Sequence, residues 1–84
     1  MKPTIPEVLP LIKKFANIKG NEVGGNLHIT LDDGNVDDCH VQFCLEEAKK
    51  DNDILGIEVA ETLLKMSKTQ RLKLADMFYS LQDY

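Results

Sequence analysis

Residues 24–38 read GGNLHITLDDGNVDD, and the reading of this stretch decides the fold. Leu27, Ile29 and Leu31 alternate with His28, Thr30 and Asp32. Successive strand side chains point to opposite faces, so a strand here has one apolar face and one polar face. The alternation predicts a strand over residues 27–31. Gly24-Gly25 before it and Asp33-Gly34-Asn35 after it are turn chemistry, because Gly and Asn tolerate positive φ. A lone strand leaves backbone N–H and C=O groups unpaired. Two partners are open to it: the preceding piece around residues 21–23, folded back through Gly24-Gly25, or the same strand of a second subunit.

Outward from this stretch the chain reads as helices. Thr4-Ile5-Pro6-Glu7 has the form of a capping box. Val8, Leu11, Ile12 and Phe15 follow as a helical apolar stripe. Pro10 predicts a bend, or a helix that begins near it, with an end by Gly20. Residues 18–26 read as a polar, Gly-rich loop. After the turn, Asn35 or Asp37 caps a helix whose buried stripe is Val41, Cys44, Leu45 and Ala48. Glu46 and Lys50 pair on its wet side. Asp51-Asn52-Asp53 ends it and caps another, with Ile54, Ile57, Ala60, Leu63 and Leu64 inward. Gly56 costs that helix about 1 kcal/mol against Ala. Ser67 with Gln70 is the best capping box in the chain, and Leu74, Met77, Phe78 and Leu81 follow at helical spacing. The expectation is a single domain over 1–84, α+β and mainly helical, in the order α-β-α-α-α.

Composition bounds function. A chain of 84 residues buries only roughly 60–65% of the surface its unfolded form exposes, so the expectation is self-association as a homodimer or larger. Fourteen acidic and ten basic residues give a net charge of −4. That disfavours direct nucleic-acid binding and suits a basic protein surface. The N-terminus has no signal-peptide core, and no apolar run approaches the roughly 20 residues of a membrane span. Cys39 and Cys44 lie five apart in a predicted helix, about 7.5 Å along its axis. A disulfide reaches about 7 Å between Cα atoms, so both read as free thiols in a reducing cytosol.

The chemistry-bearing residues gather in 24–40. His28, Thr30 and Asp32 share the polar strand face, Asp33, Asn35 and Asp38 follow in the turn, and His40 opens the next helix. They compose a ligand or partner surface, with the backbone amides of Gly24 and Gly25 available to a phosphate. An enzyme reading makes His28 and Asp32 or Asp33 an acid/base pair in a small hydrolase. A bland reading is a solvated face beside an acidic helix start. Metals fit poorly. An EF-hand begun at Asp33 would have Asp38 where Gly is needed and Cys44 where the bidentate Glu belongs. No CxxC or HExxH motif supports zinc with His40 and Cys44. No cofactor motif is present, since GKS/T and GxGxxG are both missing. Lys13, Lys14 and Lys19 read as a solvated basic face.

The strings GNEVGGNLHITLDDGNVDD, CHVQFC and KMSKTQR together resemble a group of small proteins encoded by bacteriophages and prophages. The most specific part is Gly24 to Asn35, GGxLHIxLDDGN. The resemblance implies a phage accessory protein acting in the host bacterial cytoplasm. It carries no assigned functional residues. The expected function is non-enzymatic binding of a host factor or small ligand through residues 24–40, such as inhibition of an antiviral defence complex. The alternatives are nucleotide sequestration, the small hydrolase, and a phage structural or scaffolding role.

Overall fold

The computed structural model describes residues 3–17 and 25–82. It is all-α among those residues: α1 (Ile5–Ala16), α2 (Gly25–Asp33), α3 (Asp38–Lys50), α4 (Ile54–Leu64) and α5 (Lys68–Leu81). The α+β expectation is therefore corrected. Residues 27–31 are helical, and no strand occurs among the described residues. The hairpin expected with residues 21–23 lies outside the described residues. With residues 27–31 helical, the strand edge there that called for a second subunit does not exist.

The physical reason lies in two spacings. Leu27 and Leu31 stand four apart, which places them on one face of a helix as well as one face of a strand. Both are buried, while Ile29 between them is 60% exposed. A strand would have turned all three the same way. The turn residues act as a helix stop. Gly34 has φ +73°. Its N–H donates to the Leu31 carbonyl at 3.2 Å, and the Asn35 N–H donates to that of Thr30 at 3.0 Å. That pair of bonds is a Schellman cap, which needs a left-handed residue and so favours Gly. A helix also satisfies its own backbone, which a lone strand cannot.

The other helices follow the expected stripes with adjustments. α1 holds Pro10 inside it and begins before it. Val8, Ile12, Phe15 and Ala16 are its buried residues. Thr4 is the N-cap, but its hydroxyl donates to Glu7 Oε1 at 2.8 Å, so the expected reciprocal box does not form. α3 buries Val41, Cys44, Leu45 and Ala48, as its periodicity predicts. Its wet-side pairs differ: Lys50 meets Glu47 at 3.7 Å, and Glu46 accepts from Gln42 at 2.9 Å. α4 is rotated from its expected face and buries Gly56, Val59, Ala60 and Leu63, leaving Ile54 73% exposed. Asp53 caps it by accepting from the Gly56 N–H at 2.9 Å. A Cβ on Gly56 would run into Asp53 Oδ2, so it is the capping carboxylate that comes close there. α5 carries the full Ser67–Gln70 capping box.

One hydrophobic cluster draws on all five helices. α3 packs most extensively on α4, and α5 lies against α1 and α2. α1 and α5 run parallel. Gln70 Nε2 donates to the Pro3 carbonyl at 3.3 Å where they start, and Asn17 Nδ2 to that of Leu81 at 3.1 Å where they end. Phe15 and Phe78 meet between them with ring centroids 6.1 Å apart. No described helix is long and apolar enough to cross a membrane.

Candidate functional site

The predicted site residues map onto α2, the cap after it and the start of α3. Gly24 lies outside the described residues. Gly25 is the first residue of α2, and position 28 lies within the helix, where the His28 side chain is outside the description. Residues two apart stand on opposite sides of a helix, so the shared polar face of positions 28, 30 and 32 does not exist. Thr30 is half-buried, its hydroxyl 3.6 Å from Cys44 Sγ on α3. Asp32 turns to the other side, where its Oδ1 accepts from Gln82 Nε2 at 3.2 Å, beyond the end of α5. Asp33, Asn35 and His40 are exposed. The strand-face pocket loses its geometry, because Thr30 leaves the face; positions 28 and 32 of the hydrolase pair stand four apart on one side of α2, with the His28 side chain outside the described residues.

Two carboxylates of the segment are held by α5. Asp37 is the N-cap residue of α3 by its backbone, but its side chain does not cap the helix. It accepts from Lys68 Nζ at 2.6 Å instead. That hydrogen bond and charge hold the Asp37 carboxyl below its ordinary pKa and push the Lys68 ammonium above its own. Asp38 meets Arg71 Nη1 at 2.5 Å, with an aspartate side chain that is 82% exposed.

Arg71 is the residue that sequence reasoning missed. It is 4% exposed. Its Nε donates to the Leu63 carbonyl at 2.7 Å, Nη1 to Val36 at 2.9 Å and Nη2 to Met66 at 3.1 Å. The guanidinium fork thus ties the end of α4, the α4–α5 turn and the α2–α3 connection into one node. A signal was available. Arg71 stands three residues before Leu74, in line with the stripe. Around it Asp37, Asp38 and Cys39 face Lys65, Ser67 and Lys68 across a shallow open depression.

The two cysteines are free, Cys39 exposed and Cys44 buried. Burial raises the Cys44 thiol pKa, and the Thr30 hydroxyl offsets part of that rise. Among the described residues no group of three or more His, Cys, Asp or Glu side chains is placed to hold a metal ion. The outward side of α2 is different in character. Ile29, Asp32 and Asp33 fall within one turn at i, i+3 and i+4, and all three face solvent. Phe43, on the outer side of α3, is 56% exposed. The arrangement offers carboxylates beside apolar side chains, which suits recognition of a surface.

Among the described residues the architecture is thus five helices held by a buried arginine node. Comparison with known families, with characterised proteins and with solved structures gives no match.

Proposed function

We propose that this chain is a non-catalytic binding protein whose α2–α3 corner docks on a basic surface of another protein. The observation that carries this reading is Ile29. It is an aliphatic side chain 60% exposed at the centre of a helix face that also holds Asp32 and Asp33. A partner that covers Ile29 gains apolar burial, and the flanking carboxylates select Lys or Arg on that partner. The net charge of −4 acts in the same direction by steering a basic partner and repelling nucleic acid. The resemblance of residues 24–35 to phage and prophage proteins supports an accessory role in the bacterial cytoplasm. A host defence protein with a nucleic-acid-binding surface is the class of target that fits.

The test is recovery of the tagged chain from host bacteria, compared with a doubly substituted Ile29→Asp, Asp33→Lys chain. Both substitutions are at solvent-facing helix positions, so the thermal melt should not move. The native chain should retain a stoichiometric partner that raised salt strips away. Recovery of the same partner by the substituted chain refutes the reading.

A further inference from the structure

The α2 face does not end at α2. Asp32 is bound to Gln82, the C-cap residue of α5, three positions beyond Tyr79. Tyr79 is 82% exposed, and Leu72, two turns earlier on the same side of α5, is 41% exposed. Asp76 is exposed between them. Going round α2, Asp32 stands toward α5, Thr30 stands toward α3 against Cys44, and Ile29 occupies the outward surface between. The order across the molecule is therefore Leu72 and Tyr79, then Asp32, then Ile29 and Asp33. Apolar and acidic side chains interleave along it. Lys68 is the cation on this edge of α5, and it is engaged by Asp37. Lys73 lies further round, beyond Asp76.

We propose that α2 and α5 present one continuous docking face, with Ile29, Leu72 and Tyr79 as apolar anchors and Asp32, Asp33 and Asp76 as charge selectors. Its occupant is a basic amphipathic helix of another protein. This rests on the binding role proposed above and extends it to a second helix and a defined partner chemistry. The pattern argues for a helix. Anchors on two neighbouring helices form a ridged surface, and an amphipathic helix lays its apolar stripe into such a surface while its Lys and Arg reach the rims. Three interleaved carboxylates disfavour a second copy of this chain, whose own face would bring Asp76 and Asp33 against like charges. They disfavour nucleic acid for the same reason.

The experiment uses the whole chain, labelled with nitrogen-15, and a model helix of leucine and lysine as the probe. Polylysine and a leucine/glutamate helix are the controls. Saturable binding should perturb amides of both 29–33 and 72–79. Substituting Leu72→Ser with Tyr79→Ser should weaken it by about tenfold or more without moving the melt, the loss typical of central interface anchors. Polylysine should bind at least about tenfold more weakly, because it lacks the apolar stripe. Perturbation confined to 29–40, or unchanged affinity after the α5 substitutions, overturns the extension and leaves the α2–α3 role standing. Equal binding of the glutamate helix or of polylysine overturns the partner chemistry. Failure of the model helix to bind, while the host partner is still recovered through Ile29 and Asp33, also overturns this inference alone. If the host partner is lost from neither the α2 nor the α5 variants, both readings fall together.

Discussion

Replacing Arg71 by methionine keeps most of the side-chain volume and removes the guanidinium. The Leu63 carbonyl keeps a second donor, the Met66 N–H at 3.0 Å, so it is not stranded. The Val36 and Met66 carbonyls lose the donors at 2.9 and 3.1 Å. A buried polar group left without its bond costs roughly 1–3 kcal/mol. Two of them, eased by water entering on the open Asp38 side, put the loss at about 3 kcal/mol. A chain of this length has roughly 4–12 kcal/mol in total. With a urea slope of roughly 1.5 kcal/mol per molar, the midpoint should fall by about 2 M. The assay is urea unfolding followed by helical circular dichroism. Asp38→Asn is the control. Its side chain is 82% exposed, so losing that ion pair should cost under about 1 kcal/mol. Arg71→Lys keeps the charge but not the fork, and should fall between the two. A methionine variant within about 0.5 M of the native midpoint would refute the node, since such a shift is under 1 kcal/mol at that slope. So would an asparagine control as damaging as the arginine substitution.

Leu31→Ala should cost about 2–5 kcal/mol. Ile29→Ala, at an exposed helix position, should stay within about 0.5 kcal/mol, whereas a strand would make the two alike. Gly56→Ala should be near neutral or harmful in the native chain, because its Cβ displaces the Asp53 cap. The same change in an Asp53→Ala background should stabilise by up to about 1 kcal/mol, a sign change that a double-mutant cycle in urea would read. Iodoacetamide followed by mass spectrometry should label Cys39 in the folded protein and reach Cys44 only on unfolding. Labelling of both at equal rates would contradict the buried Thr30–Cys44 contact. The Asp37–Lys68 pair gives a pH window. The depressed folded pKa of Asp37 adds stability that is fully present above its ordinary 3.8 and is lost as pH falls through the folded value. The raised Lys68 value adds stability present below 10.5 and lost as pH rises through its own folded value. The difference between native and Asp37→Asn melts should therefore close at both extremes and persist between them.

Legibility in the sequence varied with how many faces each segment could bury. α3 and α5 each carry one narrow stripe among polar neighbours; that of α3 is buried as its periodicity predicts, whereas in α5 Leu74 and Phe78 are buried and Met77 and Leu81 only partly so. The α5 start is equally plain, because Ser67 and Gln70 have the spacing of a box and form one. α4 is apolar on most sides, with Ile54, Leu55, Ile57, Val59 and Leu64 all plausible inward residues. Which of them turn in is set by packing on α3 and α1, and the sequence holds no local record of that. In α1 the capping residues were the right pair in the wrong bond, because Glu7 accepts the Thr4 hydroxyl rather than reaching the backbone. Arg71 was hidden by a rule that is usually sound, that charges stay outside. It is inside because the Val36 and Met66 carbonyls, in the connections beside a helix end, need donors.

The stretch that opened the reading carries a different lesson. Five alternating residues fit a period of two and, through Leu27 and Leu31 alone, a period near four. Ile29 decides between them. In a strand it joins the apolar face and says nothing about function. In a helix it is expelled to the surface, and Gly34-Asn35 then close the helix as its cap. The change of fold therefore moves the functional signal from the polar residues to the one apolar residue the helix cannot bury. Asp37 and Asp38 are committed to Lys68 and Arg71, so much of the acidic cluster maintains the fold. Asp32, which accepts from Gln82, and Asp33 flank Ile29 at exposed positions. A binding face needs apolar area for affinity and charge for selection, and the outer side of α2 is where this chain places the two together.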